Sequence, residues 1–142
     1  MITQDFRIPN IDWNVRVYYS ITGYDICNIL KSLREIGCSG DALNDAYKML
    51  YYNELNTGYT FSNTNDRKSI IIIAHTSTTK EFANSLAHEQ NHLKQHIAET
   101  IGIDPYSEED CYLLGDIAEM MHDVSQKLLC KCCKKKIYKR LY

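Results

Sequence analysis

Residues 78–102 read TTKEFANSLAHEQNHLKQHIAETIG. Thr78-x-x-Glu81 is a capping-box pair, the pattern that opens a helix. Phe82, Leu86, Leu93 and Ile97 then recur at helical spacing, and Gly102 supplies a stop. Within this helix lies the pentapeptide His88-Glu89-Gln90-Asn91-His92, an H-E-x-x-H sequence. At about 100° per residue with His88 at zero, His92 falls at about 40°, Glu89 at about 100° and the apolar residues between about 120° and 180°. The histidines therefore edge the core-facing stripe, and Glu89 lies between them and the core. Residues four apart share a helix face, so both imidazoles can reach one ion. An ionised carboxylate beside the core needs a partner, and a metal-bound water is one. His88 and His92 are thus candidate zinc ligands and Glu89 a candidate general base for a hydrolase.

The flanking sequence supplies a small α+β frame. Trp13–Ile21 (WNVRVYYSI) alternates and is rich in β-branched and aromatic residues, which predicts a strand. Helices are expected over 25–36 and 41–54, interrupted at Gly37-Cys38-Ser39-Gly40. Residues 57–62 and 69–75 read as two strands joined by a polar turn, a hairpin whose Ile70–Ile73 run suits a buried strand. After Gly102, the turn Asp104-Pro105-Tyr106 leads to Ser107-Glu108-Glu109-Asp110, a second helix start, and a helix to about Leu128. Its short connection predicts an antiparallel pair with the H-E-x-x-H helix, and Gly115 would allow close approach. The expectation is one domain over 1–142: a short antiparallel sheet of about three strands packed on helices.

A catalytic zinc commonly has three protein ligands and one open position. The pattern H-E-x-x-H-x-x-G-x-x-H is absent, because Gln95 stands in place of its glycine and Ala98 in place of its last histidine. The next helix offers an acid in Glu108 or Glu109, one of which is expected to face the histidines. His92 and His96 form a second i, i+4 pair, but without a glutamate in the base position. Asp116 and Glu119 are candidates to orient a ligand. Tyr106, Tyr112, His75 and His122 are candidates to stabilise an oxyanion.

Ala87-His88-Glu89-Gln90-Asn91-His92-Leu93 followed by Glu108–Gly115 (EEDCYLLG) resembles a short gluzincin. It is similar to small single-domain HExxH proteins of bacterial and phage genomes, and more distantly to ImmA/IrrE-type metallopeptidases, in which a helix carrying E-x-x-A follows the first motif. Here that second motif would read Glu108-Glu109-Asp110-Cys111, with Cys111 in place of alanine. The resemblance spans about residues 57 to 126. It implies a zincin-like fold, Zn2+ bound by His88, His92 and Glu108 (Glu109 as the fallback), and hydrolysis of a peptide or protein substrate lying along the strand before the first motif helix. The edge of the 69–75 strand would hold that substrate. The thermolysin-like E-x-x-x-D pattern is missing: Tyr112 and Leu113 follow Glu108 and Glu109 by four. The competing expectation is a non-catalytic metal-binding or interaction module on the same fold.

Net charge is -2, but seven of the sixteen Lys and Arg lie in residues 127–142, which hold no acid. Such a basic tail can dock on the acidic body, a membrane surface or nucleic acid. No nucleic-acid motif accompanies it, so nucleic acid is not the expected partner. Six cysteines are present; Cys130, Cys132 and Cys133 cluster in the tail without a clear fourth metal ligand, and Cys27, Cys38 and Cys111 read as packing residues. The longest strongly apolar run, Ile70–Ala74, is too short to span a bilayer, and the N-terminus has no charged-then-apolar signal pattern. The expected compartment is the cytoplasm, with reduced thiols.

Overall fold

The computed structural model describes residues 1–52 and 58–129. The tail cysteines, nearly all of the basic tail, and the expected ends of a helix at Glu54 and a strand at Thr57 lie outside them. The chain runs β1 (Ile2–Ile8), β2 (Trp13–Ile21), a 3-10 turn (Gly23–Asp25), α1 (Ile26–Glu35), α2 (Gly40–Tyr51), β3 (Gly58–Asn63), β4 (Lys68–Ala74), α3 (Thr79–Ile101) and α4 (Glu108–Leu129). The class is α+β. No described helix is long and apolar enough to cross a membrane.

The sheet has four strands in the order β1-β2-β4-β3, not three. It is also mixed: β1 and β3 pair antiparallel with their neighbours, whereas β2 and β4 run parallel. The unexpected strand is β1, ITQDFRI. Its inward positions Ile2, Gln4, Phe6 and Ile8 alternate with exposed Thr3, Asp5 and Arg7, so the period of two is present. Gln4 and Asp5 at its centre hide the pattern.

Helices cover both faces of the sheet. Against one face, Phe82, Leu86, Leu93 and Ile97 of α3 and Leu113, Ile117 and Met121 of α4 pack on Trp13, Val15, Val17, Tyr19, Ile71 and Ile73. Against the other, Ile29, Leu30 and Leu33 of α1 and Ala46 and Leu50 of α2 pack on Tyr18, Ile70 and Ile72. Alternate residues of β4 therefore serve opposite cores, which is why Ile70–Ile73 are all fully buried. β4 lies between β2 and β3, with hydrogen-bonded neighbours on both sides. It cannot offer the substrate edge expected of residues 69–75. On this side of the sheet that edge belongs to β3.

α3 begins as its sequence predicts. Thr78 Oγ1 accepts from the Glu81 amide (3.1 Å), while the Glu81 carboxylate reaches Ser77. It ends at Gly102, whose φ of 79° is in the left-handed region, with the Gly102 and Ile103 amides both donating to the Ala98 carbonyl. Ser107 caps α4 by accepting from the Asp110 amide (3.2 Å). Gly115 is exposed and nothing would meet a Cβ there, so it mediates no close approach of the two helices.

Candidate metal centre

His88, Glu89 and His92 come together on α3, with one potential ligand atom from each lying within 4.8 Å of the others. The Nε2 atoms of His88 and His92 are 3.0 Å apart, and the rings meet edge to face. As a hydrogen bond, this contact needs a proton on one of the two nitrogens and a lone pair on the other. A shared zinc, bonded at about 2.0–2.1 Å in tetrahedral geometry, would need the nitrogens about 3.3 Å apart. The donor types and their convergence therefore fit a borderline cation after a shift of a few tenths of an ångström.

Burial follows the helix phase. His88 is exposed, His92 half-buried, and Glu89 only 1% exposed. The strand that covers Glu89 is β3. Thr60 Oγ1 donates to Glu89 Oε2 at 2.7 Å, fixing the carboxylate's orientation. A Cβ on Gly58 would lie 2.9 Å from Glu89 Cγ and 3.1 Å from Cδ, so only glycine lets β3 close onto this side chain. Two residues beyond Thr60, Ser62 Oγ meets His96 Nδ1 at 2.7 Å. His96 is half-buried rather than a solvated surface histidine, and desolvation together with the neighbouring His92 lowers its pKa.

Glu108 and Glu109 are exposed on the first turn of α4 and are not part of this cluster. The rotation of α4 also differs from expectation. Asp110, not either glutamate, faces α3, where it pairs with Lys94 at 2.8 Å. Lys94 is about 200° around α3 from His92, so α4 packs away from the histidine face.

The remaining sequence candidates are also elsewhere. Glu109, Tyr112, Asp116 and Glu119 line a groove of about 380 Å³ beside Ile8, Ile11, Ile101 and Ile103. Tyr106 is 96% exposed, His75 and His122 are exposed, and none joins the cluster. The residues missed by sequence reading are Gly58, Thr60 and Ser62. Their signal was available in GYTFSN, where small or polar side chains at 58, 60 and 62 alternate with Tyr59 and Phe61 and so share one strand face.

Comparison of the chain with protein-family models, with curated proteins and with solved structures gives no match.

Proposed function

We propose that the protein is a zinc-dependent hydrolase of peptide bonds, with His88 and His92 as metal ligands and Glu89 as general base. The observation that carries this reading is a 1%-exposed carboxylate held beside two convergent imidazole nitrogens. A buried acid without a task is costly, whereas a base that must meet one water in one orientation benefits from being fixed. A divalent cation supplies Lewis acidity, which acidifies water and polarises a carbonyl. Glu89, oriented by Thr60, takes the proton of the attacking water and passes it to the leaving amide nitrogen. β3, the last strand in the sheet order, provides the edge along which an extended peptide adds by backbone hydrogen bonds. This is a zincin-like arrangement that departs from the gluzincin pattern at the third ligand, since Glu108 is not part of the His88–Glu89–His92 cluster. A bound ion would be held by His88 and His92, leaving positions that water or a substrate oxygen would fill.

That departure favours a second reading, a metal-binding module in which Glu89 is itself a ligand. One substitution separates the two. Under the hydrolase reading, Glu89→Gln keeps zinc in elemental analysis of the purified chain and loses cleavage of an unstructured protein substrate, while His92→Ala loses both. Full turnover by Glu89→Gln refutes the base assignment. Loss of zinc from Glu89→Gln, in a wild-type chain that binds zinc and cleaves nothing, establishes the binding module instead.

A further inference from the structure

A line of hydrogen bonds crosses from the sheet core to α3. Trp13 Nε1 donates to Ser69 Oγ (2.8 Å), Ser69 Oγ lies 2.7 Å from Ser62 Oγ, and Ser62 Oγ lies 2.7 Å from His96 Nδ1. Trp13 and Ser69 are 0% and 2% exposed. The direction of the line follows from what each group can do. An indole N–H only donates, and each hydroxyl has one proton to give. Ser69 accepts from Trp13, so its proton goes to Ser62, its other neighbour. Ser62 then gives its proton to His96 Nδ1; were Nδ1–H also to donate to Ser62, the Ser62 proton would have no protein acceptor among the described residues. In the opposite sense, with Nδ1–H donating to Ser62 and Ser62 to Ser69, the buried Ser69 proton has no acceptor, at a cost of about 1–3 kcal/mol. Nδ1 therefore accepts, and the neutral ring carries its proton on Nε2. That Nε2 has no side-chain or backbone partner among the described residues, and His96 as a whole is half-buried.

We infer that Trp13, Ser69 and Ser62 lock His96 in the Nε2–H form, as a hydrogen-bond donor flanking the His88–Glu89–His92 site for a carbonyl or carboxylate oxygen of an extended peptide. The peptide as recipient rests on the proposed hydrolase function; the locked tautomer does not. The same strand face fixes both groups, Thr60 holding Glu89 and Ser62 holding His96. The lock also removes His96 from metal binding, because one ring nitrogen is engaged as an acceptor and the other is protonated. The second i, i+4 pair, His92 and His96, thus does not compete with His88 and His92 for the ion.

The test is a long-range 1H–15N spectrum of the uniformly labelled chain at pH 8, with His96 assigned through His96→Phe. The expected pattern is a single tautomer, protonated at Nε2 and hydrogen-bonded at Nδ1. Ser62→Ala should lower the Nε2–H share to that of a free imidazole, and Ser62→Thr, which keeps the hydroxyl, should restore it. Adding Zn2+ should shift the Nε2 signals of His88 and His92 and leave the His96 Nε2 proton in place. In peptide hydrolysis, His96→Phe should raise KM more than it lowers kcat. A proton on His96 Nδ1, an unchanged tautomer in Ser62→Ala, or replacement of the His96 Nε2 proton by Zn2+ overturns the inference. A single Nε2–H tautomer in a chain that binds no Zn2+ upholds the lock and counts against the metal site alone.

Discussion

Replacing Lys94 by methionine tests the helix pairing that places α4 away from the site. The Lys94 and Asp110 side chains are 12% and 6% exposed, and one Asp110 oxygen, Oδ1, already has no hydrogen-bond partner. Removing the cation strands a carboxylate in the α3–α4 interface, a change that typically costs about 3–5 kcal/mol. Lys94→Met should therefore lose about 3–4 kcal/mol at pH 7. In urea at pH 7 the unfolding midpoint should fall by roughly 2 M for a slope near 1.5 kcal/mol/M. Lys94→Met with Asp110→Asn, which removes both charges, should regain most of the loss. Zinc binding by the single variant should persist, because the altered face of α3 is opposite the histidines. A deficit below about 1 kcal/mol at pH 7 would show that the pair is not buried. Zinc affinity in the variant that depends on Glu108 would show that α4 is free to take the rotation expected from the sequence.

Three further outcomes follow from the same geometry. Gly58→Ala places a Cβ 2.1 Å from the Ile72 carbonyl oxygen as well as against Glu89, so β3 must shift; thermal or urea denaturation should show a loss of at least about 2 kcal/mol, with zinc binding weakened in the folded fraction. Zinc at a hundred times its dissociation constant should stabilise the wild-type chain by about 2.7 kcal/mol in calorimetry, an increment lost in His88→Ala and His92→Ala and kept in Glu108→Ala and Glu109→Ala. Cys38 is 1% exposed and burial raises its thiol pKa, whereas Cys27 and Cys111 are exposed. Peptide-resolved alkylation of the native chain should thus label Cys27 and Cys111 well before Cys38, and equal rates would mean that the α1–α2 core is open.

What was legible in the sequence was whatever a single element decides. The T-x-x-E start, the Gly102 stop and the phase of His88, Glu89 and His92 are properties of one helix, and α3 reproduces them. The 58–74 hairpin likewise follows from a local turn. Pairings between distant strands have no such local signature. The parallel match of β2 to β4 depends on α1 and α2 crossing over the sheet, and nothing within WNVRVYYSI records its partner. The Thr60–Glu89 and Ser62–His96 contacts depend in turn on that sheet order, because it places β3 beside α3.

The misplaced third ligand has a different cause. A short turn fixes that α4 returns antiparallel to α3, but not which face it turns inward. That choice belongs to the stripe Leu113, Ile117, Met121 and Leu128, all buried against the sheet and α3. Extended backwards at the same spacing, the stripe reaches Asp110, while Glu108 falls about 160° away from it. Asp110 therefore meets α3, and Lys94 answers its charge. A carboxylate at 108 could serve the histidines only if the stripe itself faced solvent, exposing four apolar side chains worth roughly 1.5–3 kcal/mol each, far more than one carboxylate–metal contact offsets in so small a domain. The packing of α4 thus bears on the candidate site: α4 turns Asp110 rather than Glu108 toward α3, while His88 is exposed and Glu89 is buried.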